Sequence, residues 1–253
     1  MEWYMEYEVI KNRPGTLGDI ASFLGLMGVN ILMINGVAEG RRGLLLGCKE
    51  KSRIEFIKDA LSKVRSIKLR AFRQPNFIDR ISLKHGKIIC QEANSPATYS
   101  FVREDLGMLV DFLGELFLQD KPIIGLRGMP RVGKTEATIA ASVYANKKWV
   151  IISSTLMRQS MRKVLSEEEQ TVDCVYLIDG IVSGVRGSTE HKELVEEILK
   201  HPVPKVIEHP DIFLRENDLP EDFLDYIIEL RRSKDEVIDY NLVSQSFSSF
   251  DIS

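Results

Sequence analysis

Pro122-Ile-Ile-Gly-Leu-Arg-Gly128-Met-Pro-Arg-Val-Gly133-Lys134-Thr135-Glu136 reads as a short apolar run, a glycine-bounded loop and the opening of a helix. The alanine-rich segment Ala137 to Ala145 continues the helix. Gly-x-x-x-x-Gly-Lys-Thr between a strand and a helix is the spacing of a phosphate-binding loop. Gly128 and Gly133 admit backbone angles that other residues avoid, which lets the loop amides turn inward. Those amides and the positive end of the helix together suit phosphate oxygens. The expected nucleotide contacts are Gly128, Met129, Pro130, Arg131, Val132, Gly133, Lys134, Thr135 and Glu136. Lys134 is expected to reach the β- and γ-phosphates of ATP or GTP, and the Thr135 hydroxyl to hold Mg²⁺.

Composition narrows the surroundings. The 253 residues are 44% hydrophobic and 28% charged, ordinary values for a globular protein of one large or two average domains. With 34 basic and 37 acidic side chains there is no field that calls for nucleic acid or an anionic membrane. Charges interrupt every apolar run before it reaches membrane-spanning length. The opening Met1-Glu-Trp-Tyr-Met-Glu lacks the basic and apolar parts of a signal peptide. Cys48, Cys90 and Cys174 are odd in number and far apart, which suits free thiols in a reducing compartment better than a metal site. The expectation is a cytoplasmic protein without nucleic-acid or membrane partners.

Residues 1–74 form the first expected domain. Trp3 to Ile10 alternates bulky and polar side chains, as a strand does, and ends at the turn Asn12-Arg13-Pro14-Gly15. Leu17, Ile20, Ala21, Leu24 and Met27 recur at helical spacing, closed by Gly28. Strands at 30–37 and 43–48, a helix through Ile54, Ile57, Leu61 and Val64, and a strand at 67–72 complete a β-α-β-β-α-β order. That order implies a split βαβ sandwich with both helices on one side of an antiparallel sheet.

The run Pro14-Gly15-x-Leu17-x-x-Ile20-x-x-x-Leu24, followed by Gly28-Val-Asn30-Ile31, resembles an ACT domain, the small-molecule sensor of many amino-acid-regulated bacterial enzymes. The resemblance covers the first 74 residues. It implies side-by-side pairing of two copies, hence a homodimer or higher homo-oligomer, with an effector such as an amino acid at the junction. Carried onto this chain, the effector residues are Asn12, Arg13, Pro14, Gly15, Thr16 and Leu17, with Asn30 near the partner side. The bland reading, a pairing module without a ligand, stays open.

Residues 75–120 read as a connector. Ile81 to Lys84 and Lys87 to Cys90 flank His85-Gly86 as in a hairpin, and an i, i+3, i+4, i+7 stripe marks an amphipathic helix from Glu104 to Leu118. Residues 121–253 complete the nucleotide-binding half, expected as a three-layer α/β/α domain on a parallel sheet. Trp149-Val-Ile-Ile is an unbroken apolar strand of the kind a parallel sheet buries on both faces. Cys174 to Asp179 repeats the type and ends in an acid, placed to hold Mg²⁺ with Thr135. Val203 to Ile207 reads as another strand. Ser188 caps a helix that Pro202 stops; the capping-box spacing at Asp218-Leu-Pro-Glu221 precedes a second helix through Phe223, Ile227 and Leu230. Ser244 to Ser253 reads as a tail.

Ile151-Ile-Ser-Ser-Thr155-Leu-Met-Arg158-Gln-Ser-Met-Arg162 resembles the second strand and following helix of small P-loop kinases of the 2-phosphoglycerate kinase type. The resemblance implies that Arg158 and Arg162 share a helix face and grip a phosphate or an acidic acceptor. With Lys134 and Asp179 they make up the candidate catalytic set. Where those kinases carry an activating acid this chain has Thr155, which is no base near neutral pH. Two readings therefore stand together. One is a kinase-like ATP- or GTP-binding protein governed by a small-molecule effector; the other is a nucleotide- and effector-binding switch with slow turnover or none.

Overall fold

The computed structural model describes residues 1–92, 95–119, 121–154 and 160–238. The chain divides into two units, 1–89 and 90–253. Residues 75–120, expected as a separate connector, are therefore shared between them.

In the first unit β1 (Glu2–Val9), α1 (Thr16–Leu26), β2 (Asn30–Ala38), β3 (Arg41–Gly47), α2 (Lys51–Ser62) and β4 (Ile67–Arg73) follow in the expected order. The sheet runs β2-β3-β1-β4 with every neighbour antiparallel. Successive strand side chains point to opposite faces. Met5 and Tyr7 of β1 and Leu44 and Leu46 of β3 thus share one face, where Ile20, Leu24, Ile54, Ile57 and Leu61 of the two helices bury them. Tyr4 and Leu45 point the other way and are also buried.

What covers that second face is α3 (Phe77–His85), and here the hairpin expectation is corrected. Ile81 and Leu83 are spaced as on a strand, but Asn76 starts a helix by a reciprocal box. Its side chain accepts from Asp79 N at 2.8 Å, while the Asp79 carboxylate accepts from Asn76 N at 2.8 Å. Gly86, at φ 67°, is the left-handed residue that ends the helix rather than the centre of a hairpin. Leu83 then packs on Tyr4, Val37 and Leu45. Asp79 also accepts from Arg73 Nη2 of β4 at 2.8 Å, fixing helix to sheet.

The second unit holds β5 (Cys90–Glu92), β6 (Ser95–Val102), a 3₁₀ turn (Arg103–Asp105), α4 (Leu106–Gln119), β7 (Ile123–Arg127), α5 (Lys134–Tyr144) and β8 (Lys148–Ile151). Then come β9 (Ser153–Ser154), β10 (Ser160–Met161), β11 (Cys174–Asp179), α6 (Gly180–Val185), α7 (Thr189–Lys200), β12 (Lys205–Glu208), α8 (Pro210–Glu216) and β13 (Tyr226–Arg231). The seven-stranded sheet is ordered β5-β6-β13-β7-β12-β11-β8. Every pairing is parallel except that of β5 with β6. Leu194 and Ile198 of α7 and Phe213 of α8 bury Cys174, Tyr176, Ile178 and Ile207. Phe112 of α4 lies over Tyr99 and Phe101 of β6, with ring centroids 4.8 and 5.4 Å away.

Three expectations are corrected in this unit. The helix expected behind Asp218 is instead a 3₁₀ turn at Glu221–Phe223 and the strand β13. Tyr226-Ile-Ile-Glu-Leu matches a helical stripe, yet β13 lies between β6 and β7, and Ile227, Ile228 and Leu230 are buried in it. An interior parallel strand is apolar on both faces, so its sequence loses the alternation that would distinguish it. β8 is an edge strand rather than one buried on both sides, and Trp149 is 45% exposed. Arg162 is not preceded by helix at Ser160 and Met161, which pair antiparallel with Ser154 and Ser153. Thr155, Arg158 and the tail from Ser244 lie outside the described residues. Among the described residues no helix is long and apolar enough to cross a membrane.

Candidate functional site

β7 delivers the chain into the loop at Gly128, and α5 carries it away from Lys134. Gly128 sits at φ 156° and Gly133 at φ 110°, with Arg131 between them at φ 61°. A Cβ on Gly128 would meet the Leu230 carbonyl oxygen at 2.5 Å, so the loop presses on β13 as only glycine allows. Positive φ at three of the six positions from Gly128 to Gly133 keeps the loop tightly turned between β7 and α5. Arg103 straps the loop from outside. Its Nη1 donates to the Val132 carbonyl at 2.5 Å, and its guanidinium lies 3.7 Å from Glu136.

Lys134 is buried at 4% exposure, and its Nζ donates to the carbonyls of Gly128 (2.8 Å) and Met129 (3.1 Å). Burial lowers its pKa, while the carboxylates of Glu208 and Asp179 oppose that shift. The Thr135 hydroxyl donates to Glu208 Oε1 at 2.5 Å. Glu208 and its neighbour His209 had no part in the sequence reading. Burial pushes the Glu208 carboxyl up, offset by Lys134 and by the Thr135 bond. Burial, aided by the Lys134 charge, pushes His209 down to about 3 and keeps it neutral.

Asp179 ends β11 directly opposite Glu208 of β12. Its Oδ1 accepts from the amides of Ile181 (3.0 Å) and Val182 (3.2 Å), which caps α6. Gly180 makes the junction tight, since a Cβ there would meet the carbonyls of His209 at 2.6 Å and Glu208 at 2.8 Å. Below Asp179 runs a buried hydroxyl chain. Asp179 N donates to Ser153 Oγ (2.8 Å), Ser153 Oγ lies 2.7 Å from Ser183 Oγ, and Ser183 Oγ lies 2.9 Å from His191 Nε2. His191 Nδ1 reaches the Arg162 carbonyl at 2.6 Å, which makes Nδ1 the protonated nitrogen.

One cleft is lined by Thr135, Ser153, Ser154, Asp179 and Glu208 together with Ile151, Leu177 and Ile178. Its polar donors are all oxygen, the preference of Mg²⁺. Among the described residues no three His, Cys, Asp or Glu side chains gather as a metal cage. Mg²⁺ needs none, because it takes one or two carboxylates and fills its shell with phosphate and water. The donor set fits. The Arg162 guanidinium, by contrast, is ion-paired with Glu169 and does not line this cleft.

In the first unit Gly15 takes φ 88° at the start of α1, and Thr16 Oγ1 donates to the Arg13 carbonyl at 2.9 Å. Arg13 pairs with Asp19 at 2.5 Å on the surface. Asn12 lies in a depression with Gly36, Ala38, Arg41 and Arg42. Pro14 and Leu17 are exposed nearby, whereas Asn30 opens β2 at its other end. Asn12 and Asn30 therefore share no site within one copy.

Residues 69–251 match the family described as Protein of unknown function (DUF3388). The chain belongs to this family. It is also 47% identical over 259 residues to the Uncharacterized protein YmfK of Bacillus subtilis (strain 168), across 99% of this chain and 96% of the relative. The family match begins within β4 and takes in α3 and the second unit; the likeness to the relative extends through the first unit as well.

Proposed function

We propose that this protein binds ATP or GTP with Mg²⁺ at the mouth of β7, and that the first unit tunes that site in response to a small-molecule effector. The observation that carries the reading is the loop: three positive-φ residues ahead of an eleven-residue helix, with a buried lysine folded under them. The amides and the helix start receive the phosphates, Lys134 exchanges its carbonyl partners for phosphate oxygens, and Thr135 supplies a metal ligand. Mg²⁺, when bound, neutralises the charge between the β- and γ-phosphates. The parallel sheet with its loop at the carboxyl ends of the strands supports a P-loop architecture. The β2-β3-β1-β4 order supports an ACT-like first unit, paired as a homodimer along β2, whose Leu32, Met33 and Ile34 are exposed. Such a protein works in the cytoplasm, where the nucleotide is.

A second reading is favoured by Arg162. In a kinase-like core it would neutralise the transferring phosphoryl group, but here Glu169 holds it. A switch with slow or absent turnover needs no such cation. Thermal denaturation with Mg²⁺-ATP or Mg²⁺-GTP tests the common part, because a ligand specific for the folded state raises its melting temperature. Absence of any shift with either nucleotide ends both readings. Release or transfer of labelled γ-phosphate, with and without amino acids, then separates kinase from switch.

A further inference from the structure

β12 lies between β7 and β11, so the two acidic strand ends stand at different distances from the phosphate loop. Strands in a sheet are about 4.8 Å apart. Glu208 is on the strand adjoining β7, in register with Leu126, while Asp179 is one strand further out. Their side chains are also differently engaged. Asp179 spends Oδ1 on two amides of α6. Glu208 Oε1 receives the Thr135 hydroxyl at 2.5 Å.

A threonine hydroxyl has one hydrogen and two lone pairs. With the hydrogen committed to Glu208, both lone pairs are left for a cation on the loop side. The same bond that looks like a plug on Thr135 therefore orients it as a metal ligand. Outer partners that orient a ligand in this way typically contribute 10- to 100-fold to metal affinity. A cation bound beside the Glu208 carboxyl would favour its ionised form against burial and gain its charge.

We infer that Glu208, not Asp179, is the carboxylate that orients and charges the Mg²⁺ position of the nucleotide complex. Asp179 holds α6 in place. The inference rests on the nucleotide reading above and assigns Glu208 as a positioning residue through Thr135.

The test uses full-length protein, a non-hydrolysable ATP analogue and Mn²⁺ as an electron-paramagnetic probe. Two constants are measured: that of the analogue in EDTA, and that of Mn²⁺ for the protein–analogue complex. Glu208→Ala is expected to weaken Mn²⁺ by roughly 10- to 100-fold, with the analogue's metal-free affinity changed by less than about threefold. Glu208→Gln keeps an acceptor oxygen for Thr135 without the charge and falls between Glu208→Ala and wild type. Asp179→Asn keeps the helix cap and changes Mn²⁺ affinity by less than about threefold. If Asp179→Asn weakens Mn²⁺ as much as Glu208→Ala, or Glu208→Gln and Glu208→Ala leave it unchanged, the assignment is overturned while nucleotide binding stands. If wild type binds no analogue with or without metal, the phosphate-loop reading itself is overturned and the assignment goes with it.

Discussion

Strands β11 and β12 run side by side in parallel, both end in a carboxylate, and Asp179 stands opposite Glu208. Their acids nevertheless do different work, and the residue after each strand decides which. After Asp179 the chain enters α6 at once, and the carboxylate turns back over the amides of Ile181 and Val182. After Glu208 comes His209 at φ 55° and then Pro210, which has no N–H to offer. The start of α8 is met by the His209 carbonyl, which accepts from Ile212 N at 3.2 Å. Glu208 has no helix to cap, so it reaches sideways to Thr135. The turn after each strand thus settles which neighbour its acid engages, α6 for Asp179 and Thr135 for Glu208.

That contrast can be attacked at several points. Lys134 is the cation facing both acids, so Lys134→Ala should remove the entire nucleotide-dependent rise in stability, about 4 kcal/mol at a thousandfold excess over Kd. A melting titration reads it directly, and a retained shift would remove the lysine from the site. Next in size is Lys205, at the opposite end of β12 from Glu208, whose pKa burial pushes down to about 8 against the opposing pull of Asp225. Between about 8 and its usual 10.5 the unfolded chain keeps a proton that the folded chain has released, so stability rises with pH across that window. The rise is roughly 3 kcal/mol, absent in Lys205→Met and measurable as the pH dependence of urea midpoints.

Gly180→Ala strikes the junction itself, driving a methyl into the carbonyls of Glu208 and His209. It should destabilise by about 2 kcal/mol and weaken Mn²⁺ binding by separating Glu208 from Thr135. Smallest is Asp179→Ala, which loses the α6 cap for about 1 kcal/mol; Asp179→Asn should restore it. Equal stability of the alanine and asparagine variants would mean that the cap contributes nothing.

Much of this was legible in the chain. The four strands and two helices of the first unit were legible because Pro14-Gly15, Gly28 and Gly40 mark turns and the helices carry apolar residues at helical spacing. The strand, loop and helix from Ile123 to Tyr144 were legible because two glycines and a lysine at fixed spacing separate an apolar run from an alanine-rich one. α3 was not, since Ile81 and Leu83 mimic a strand when the second face of the sheet also needs cover. β13 was hidden by burial on both faces, which erases the period that separates strand from helix. Glu208 left a signal of the same kind as Asp179, an apolar strand ending in an acid. Sequence alone could not rank the two, because the rank is set by which strand adjoins β7, and strand order is written in long-range pairing.

The arginine strap has a mechanical corollary. Arg103 follows directly on β6, whose edge partner β5 begins where the second unit begins, at Cys90. The guanidinium that holds the Val132 carbonyl therefore stands at the C-terminal end of β6 in the β5–β6 pair. A displacement of β6 would carry that guanidinium with it and loosen the rim of the loop at Val132 and Gly133.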